Sequence, residues 1–136
     1  MEETLGWLLE PKSPSVRYGT LRYLLDRPKD DLEVQAALKA IPQSPIIKRI
    51  FTRQAPQGHW GDPESPYLPK YKSTYWTVML LGYLGLSRWD RRVCRGVEHL
   101  FRFQQPTGGF AEFGEEGARQ KYARVVEKRL ARGKEP

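Results

Sequence analysis

Apolar residues recur along this chain at the spacing of an α-helix and not at that of a β-strand. The clearest case is residues 90–104, where arginines cover one side and the apolar positions follow the pattern i, i+4, i+7 and i+8: Val93, Val97, Leu100 and Phe101. A period near 3.6 residues is typical of a helix with one buried face. The pattern predicts an amphipathic helix here and an all-α protein.

Two further helices begin at Ser-Pro pairs. Ser13-Pro14 and Ser44-Pro45 each offer Ser as the N-cap and Pro as the first helical residue. They predict helices over 13–26 and 44–54. Between these two, Asp30-Asp31 precedes a third apolar periodic segment and is expected to cap its helix.

Residues 73–84 form the most hydrophobic predicted helix, with apolar side chains on all of its sides. Such a helix is expected to be buried all round, as the inner partner of the one-faced helix at 90–104. The preceding residues 55–72 contain several Pro and Gly residues, which exclude a regular element. A loop of this length is usually functional or packed by its own aromatic side chains.

One motif, Gln-x-Pro-x-Gly-x-aromatic, occurs twice at a separation of 50 residues. The two copies place the same residue types at Gln54, Gly58 and Trp60, and at Gln104, Gly108 and Phe110. The apolar positions just upstream of each copy align at the same offset. A period of this size predicts a repeated helical unit, with its two copies near 44–60 and 94–110. We expect both outer helices to end at the motif Gln.

The two copies resemble the prenyltransferase and squalene-cyclase repeat, whose signature is Gln-x-x-x-Gly-x-Trp. The first copy matches it in full, and the second has Phe in place of Trp. The resemblance covers roughly residues 44–113. It implies antiparallel helical hairpins in a partial alpha/alpha toroid, in which the motif residues tie the outer helices together and are not catalytic. We expect a helical repeat domain at 1–117 and a basic C-terminal helix and tail at 118–136.

Candidate catalytic chemistry is sparse. Cyclases of the resembled family use an Asp-x-Asp-Asp acid that this chain lacks, and helix capping explains Asp30-Asp31 better. The prenyltransferases of that family bind zinc through Asp, Cys and His. The candidates of these types are His59, Asp62, Cys94 and His99, and they show no established metal-ligand spacing. We therefore expect no catalytic residue, no metal site and no cofactor.

Five aromatic residues cluster within 17 positions and leave two interpretations open: Trp60, Tyr67, Tyr71, Tyr75 and Trp76. In cyclases of the resembled family, aromatic faces line the cavity and stabilise carbocations, as cation–π attraction allows. Aromatic side chains also dominate the packing of ordinary cores. Core packing is favoured, and a hydrophobic or isoprenoid ligand is the alternative.

Positive charge is concentrated at the C-terminal end. The net charge is +7, and from Arg119 onward the chain carries seven basic residues and two acidic ones. A last helix is expected near Glu116–Arg132, with a narrow apolar stripe of Tyr122, Val125, Val126 and Leu130. The stripe predicts that this helix docks on the body of the protein and turns its charges to water, leaving only weak polyanion binding.

Together these features favour a non-catalytic helical repeat module that acts as a binding or scaffold protein. One alternative is a fragment or subunit of an isoprenoid-handling enzyme, and another is a nucleic-acid or anionic-surface binder that acts through the basic tail. A partial toroid leaves a flank open, so a homodimer or a partner protein is expected to cover it. The single Cys94 and the acidic start of the chain are typical of a cytoplasmic protein.

Overall fold

Helices form all of the regular structure in residues 2–135, which are the residues that the computed structural model describes. They are α1 (Glu2–Leu8), α2 (Pro14–Gly19), α3 (Leu32–Ala40), α4 (Pro45–Phe51), α5 (Thr74–Tyr83), α6 (Arg91–Phe101) and α7 (Glu115–Leu130). A π-helical turn, Thr20–Leu24, prolongs α2, and a 3-10 turn, Ile41–Gln43, follows α3. The described residues contain no β-strand, so the predicted all-α class is confirmed.

The chain divides into two units. Unit 1 comprises the chain up to Gln54 together with Val78–Cys94, and unit 2 comprises Ala55–Thr77 together with the chain from Arg95 on. Unit 1 therefore holds the N-terminal helices, and unit 2 holds the long loop and α7.

The core of unit 1 forms between α2, its π-helical turn and α3. Leu21, Val34 and Ala37 are almost completely buried there, and Leu9 and Tyr18 pack against them. Val34 and Ala37 are three residues apart and so lie on one face of α3. Burying a side chain of the size of Leu21 stabilises the fold by about 1.5–3 kcal/mol, so this small cluster contributes substantially to holding α2 and α3 together.

The predicted helix starts are only partly confirmed. Asp31 caps α3, because its carboxylate accepts hydrogen bonds from the amides of Glu33 at 2.9 Å and Val34 at 3.1 Å. α2 and α4 begin at Pro14 and Pro45 as expected, but no side-chain hydrogen bond comes from the Ser before either of them. Helix α1 begins at Glu2, and its acidic first turn favours a helix N-terminus.

In unit 2 the long loop is irregular, as its Pro and Gly content predicts, and buried hydroxyl groups organise it. The amide of Trp60 donates to Thr74 Oγ1 at 3.0 Å, and that hydroxyl donates to the Trp60 carbonyl at 3.2 Å. The fully buried Ser65 hydroxyl donates to the Glu112 carbonyl at 2.8 Å and accepts from the Leu68 amide at 3.0 Å. These bonds connect the loop to the start of α5 and to the segment before α7.

The expectation that α5 is buried on every side is wrong. Leu81 is completely buried, but Tyr83 is 80% exposed, and Tyr75, Met79 and Leu80 are also exposed. An apolar composition shows that a helix tolerates burial on any face, but neighbours must be present to cover each face. The described chain supplies them for one side of α5 only.

Candidate functional site

The first motif copy forms a tight turn after α4. The amide of Ala55 donates to the His59 carbonyl at 2.8 Å, and the amide of Gly58 donates to the Ala55 carbonyl at 2.8 Å. Gly58 has a φ of +94°, in the region that favours glycine. The motif glycine therefore allows the chain to reverse within a few residues.

The second copy repeats these hydrogen bonds after α6. The amide of Gln105 donates to the Gly109 carbonyl at 2.7 Å, and the amide of Gly108 donates to the Gln105 carbonyl at 2.8 Å. Gly108 has a φ of +91°. The helices before the two turns end at Phe51 and Phe101, three residues before the motif Gln and not at it, because the last turns close through i to i+3 bonds.

The motif glutamines make different contacts. The Gln54 amide donates to the Arg92 carbonyl at 2.8 Å, which joins the end of α4 to the start of α6 within unit 1. The Arg92 guanidinium lies 3.8 Å from the centre of the Phe51 ring and pairs with Asp90 at 2.7 Å, which lowers the pKa of that carboxyl group. The Gln104 amide only reaches the Gly108 carbonyl of its own turn, at 3.5 Å. The first glutamine thus connects two helices, and the second braces a turn.

The same difference appears at the glycines and aromatic residues. A methyl group on Gly58 would lie 2.5 Å from the Arg95 carbonyl oxygen, whereas one on Gly108 would meet no atom within 4 Å. Trp60 is 4% exposed, whereas Phe110 is 55% exposed and packs at a tilt against the equally exposed Phe101, with their ring centres 5.9 Å apart. The first copy is enclosed by the fold, and the second lies at its surface.

Trp76 lies at the centre of the aromatic cluster and contacts three of its four other members. Its ring centre lies 5.2 Å from that of Tyr67, 4.8 Å from that of Tyr71 and 5.1 Å from that of Tyr75. The Trp76 indole N–H donates to the Tyr67 carbonyl at 3.0 Å. Tyr71 is 76% exposed and Tyr75 is 43% exposed. The cluster therefore packs the loop against α5 while it presents aromatic faces to solvent.

Two histidines form a pair that the sequence did not suggest. The rings of His59 and His99 lie 5.0 Å apart in unit 2, and His99 is 2% exposed. Within the described chain, both ring nitrogens of His99 and Nδ1 of His59 lack a hydrogen-bond partner. Burial, followed by the charges of His59 and Arg102, lowers the pKa of His99 to about 4, so this imidazole is neutral at pH 7.

The possible metal ligands have other local partners. Cys94 Sγ donates to the Arg88 carbonyl at 2.9 Å, and the Asp62 carboxylate accepts from the Glu64 amide at 2.8 Å. Among residues 2–135, no three side chains of His, Cys, Asp or Glu are grouped so that they could hold a metal ion. The pairing of His59 with His99 depends on how the first motif turn packs, which explains why residue spacing alone did not reveal it.

Helix α7 contacts the rest of unit 2 near its N-terminal end. The Gly114 amide donates to the Glu64 carbonyl at 2.8 Å, and Lys121 pairs with Glu112 at 3.4 Å. Beyond this point Tyr122 is 69% exposed and Leu130 is 57% exposed, and α7 has no buried residue. Val126 is half-buried, but the other three stripe residues are exposed, so the prediction that α7 docks through its apolar stripe is wrong.

Basic side chains line one edge of α7 beside this stripe. Lys121, Arg124 and Lys128 recur at i, i+3 and i+7, which places them along one side of the helix, and all three are exposed. The helix thus presents an apolar strip flanked by positive charge. No helix of the described residues is both long enough and apolar enough to span a membrane.

Comparison of the chain with models of protein families, with curated proteins and with solved structures finds no match. The resemblance to the prenyltransferase and squalene-cyclase repeat rests on the sequence alone.

Proposed function

We propose that this chain is a non-catalytic helical repeat module of the squalene-cyclase-like kind, a partial toroid that acts as a binding or scaffold protein. The observation that carries the proposal is the uncovered stripe of α7, whose residues Tyr122, Val125 and Leu130 are 69%, 47% and 57% exposed. Large apolar side chains grouped on one exposed helix face are typical of interaction sites. A partner protein packs on this stripe.

The contacts of the motif residues support a structural role for them. Gln54 and Gly58 both contact the main chain of α6. The Gln54 amide donates to the Arg92 carbonyl, and Gly58 lies beside the Arg95 carbonyl. The carboxylate nearest to the cyclase acid pattern, Asp31, caps a helix. Partial burial acts to raise the pKa of Asp31, but hydrogen bonds from the Val34 amide and the Arg27 guanidinium outweigh it and lower the pKa. An ionised carboxylate is unsuited to protonating a substrate.

The charge beside the stripe indicates which kind of partner fits. Lys121, Arg124 and Lys128 lie along one edge of α7. A second copy of this chain would bring like charges together, which is unfavourable at an interface. A partner helix with an apolar face and an acidic flank satisfies both features, so a different protein is favoured over a homodimer.

The test compares two Asp substitutions on α7. Val125→Asp puts a charge on the stripe, and Gln120→Asp adds the same charge about 140° round the helix from Val125, since each residue turns the helix by about 100°. We expect a complex of fixed stoichiometry, isolated from the native source and weighed by native mass spectrometry, to be lost with Val125→Asp and retained with Gln120→Asp. Retention with both variants, or loss with both, would contradict the role of the stripe.

Binding to an anionic surface is the second candidate, and the same basic edge favours it. A helix with an apolar stripe and flanking Lys and Arg residues can lie in the interface of an acidic membrane. The test is a titration of the full chain, and of a chain ending at Gly117, with vesicles that contain or lack phosphatidylserine and with duplex DNA. Tight binding at physiological salt that disappears on truncation would favour this candidate over the partner protein. Steep loss of DNA binding with salt would indicate charge alone.

The isoprenoid-handling alternative draws its support from the exposed aromatic faces around Trp76. It would require a partner chain to supply the acid or metal. Incubation of the purified chain with squalene or a linear prenyl diphosphate tests whether it acts by itself. A cyclic product that disappears with Asp31→Asn would contradict the non-catalytic proposal.

A further inference from the structure

A groove of about 400 Å3 opens in unit 1 between the segments that lead into α2 and α4. Its volume falls within the range of small-molecule sites. Two aliphatic side chains of the groove are substantially exposed, Val16 at 45% and Ile46 at 51%. These side chains would lose unfavourable contact with water if a hydrocarbon group covered them.

The groove also contains two serine hydroxyls without a hydrogen-bond partner. Ser44 is 5% exposed, and its Oγ bonds to no other described group, although Ser44 occupies the N-cap position of α4. Ser15 Oγ is likewise buried and unpartnered among the described residues. A buried hydroxyl with no partner destabilises a folded protein, and a polar group bound in this groove would supply the missing partner for both serines.

Positive charge comes from side chains at the rim. Arg49 lines the groove, and no described residue pairs with its guanidinium group or accepts a hydrogen bond from it. Lys12 also lines the groove but pairs with Glu10 at 2.5 Å, so its charge is largely balanced. Helices α2 and α4 are too short for the partial positive charge at their N-termini to add much. Arg49 is therefore the main source of positive charge at the groove. A guanidinium group prefers carboxylate and phosphate oxygens as partners.

We propose that this groove binds a small amphiphilic oxyanion, that is, a carboxylate or phosphate monoester with a short hydrocarbon chain. The oxyanion accepts hydrogen bonds from Arg49 and from the hydroxyls of Ser44 and Ser15, and the hydrocarbon covers Val16 and Ile46. The site lies in unit 1, apart from the α7 stripe on which the proposed function rests. Loss of either site in the tests leaves the other unaffected.

The experiment titrates the full chain with hexanoate and with hexyl phosphate by isothermal calorimetry, with hexanol and inorganic phosphate as half-ligands. We expect saturable binding of at least one amphiphilic anion, and at least tenfold weaker binding of both half-ligands. Which anion binds more tightly distinguishes a carboxylate from a phosphate ligand. Absence of saturable binding at millimolar concentrations would overturn the proposal, as would equal binding of hexanol or of inorganic phosphate.

Two variants separate ligand binding from folding. Arg49→Gln should weaken binding about tenfold or more, because a hydrogen bond to a charged group is lost. Lys48→Gln is the matched control, since Lys48 lies on the same helix outside the groove, and it should leave binding unchanged. Ser44→Ala should raise the melting temperature of the free protein, because it removes an unpartnered hydroxyl, and should weaken binding. A Ser44→Ala variant with a lower melting temperature and unchanged affinity would assign the hydroxyl a structural role and contradict the site.

Discussion

The two motif glycines allow the effect of a close contact to be measured against an internal control. Gly58 and Gly108 occupy equivalent positions in the two turns, with φ values of +94° and +91°. A Cβ at Gly58 would lie 2.5 Å from the carbonyl oxygen and 2.8 Å from the carbonyl carbon of Arg95, whereas a Cβ at Gly108 meets nothing within 4 Å. Replacing each glycine by Ala changes the same backbone conformation in two different surroundings.

The expected magnitudes follow from this difference. A positive φ costs an L-residue about 1–2 kcal/mol, and reduced freedom of the unfolded chain returns about 0.4–1 kcal/mol. Gly108→Ala should therefore lower the free energy of unfolding by about 1 kcal/mol. Gly58→Ala has in addition to displace the Arg95 main chain, which adds about 1–3 kcal/mol on the scale of overpacked cores.

Urea unfolding of both variants, followed by circular dichroism and by tryptophan fluorescence, measures the two free energies. Coincident transitions would show that a two-state analysis applies. We expect Gly58→Ala to be the less stable variant by at least about 1 kcal/mol. Equal destabilisation by the two substitutions would show that the contact with Arg95 does not constrain the first turn, and would refute the inference from this distance.

Three further outcomes are expected, each measurable by urea unfolding. The pKa of His99 falls from 6.5 to about 4 on folding, so as the pH falls the unfolded chain binds this proton before the folded protein does. The free energy of unfolding should therefore decline as the pH falls from 6.5 to about 4, and His99→Leu should make this decline smaller. An unaltered decline would contradict the burial argument. Gln54→Ala should cost about 1 kcal/mol and Gln104→Ala close to nothing, since only the first amide joins two helices; equal costs would count against this distinction. Asp31→Ala should cost about 1 kcal/mol through the lost cap, with Asp30→Ala as a near-neutral control, and a neutral Asp31→Ala would show that the cap is unimportant.

Local features were predictable from the sequence because they depend on neighbours along the chain. The period of the apolar residues predicts α6, proline sets the first residue of α2 and α4, and Asp31 caps α3. The repeated motif likewise specifies a turn that Gly and its adjoining main-chain groups can form locally. Both copies accordingly have the same hydrogen bonds and the same positive φ at glycine.

Features that require distant neighbours were not predictable. The apolar surround of α5 led to an expectation of complete burial, and the stripe of α7 to one of docking, but both helices expose large apolar side chains. The pairing of His59 with His99, and the groove beside Ser44 and Arg49, bring together residues far apart in sequence. Neither the period of the apolar residues nor the spacing within a motif specifies which distant residues come into contact.

The sequence by itself thus determined the helical class, the first residues of α2 and α4, and the form of the motif turns. Only the tertiary structure decided which of two matching turns is enclosed and which is exposed: Gly58 lies against Arg95, and Gly108 has open space beside it. The physical reason is that hydrogen bonds of helices and turns join residues close in the chain, whereas burial depends on which surfaces meet after the chain has folded.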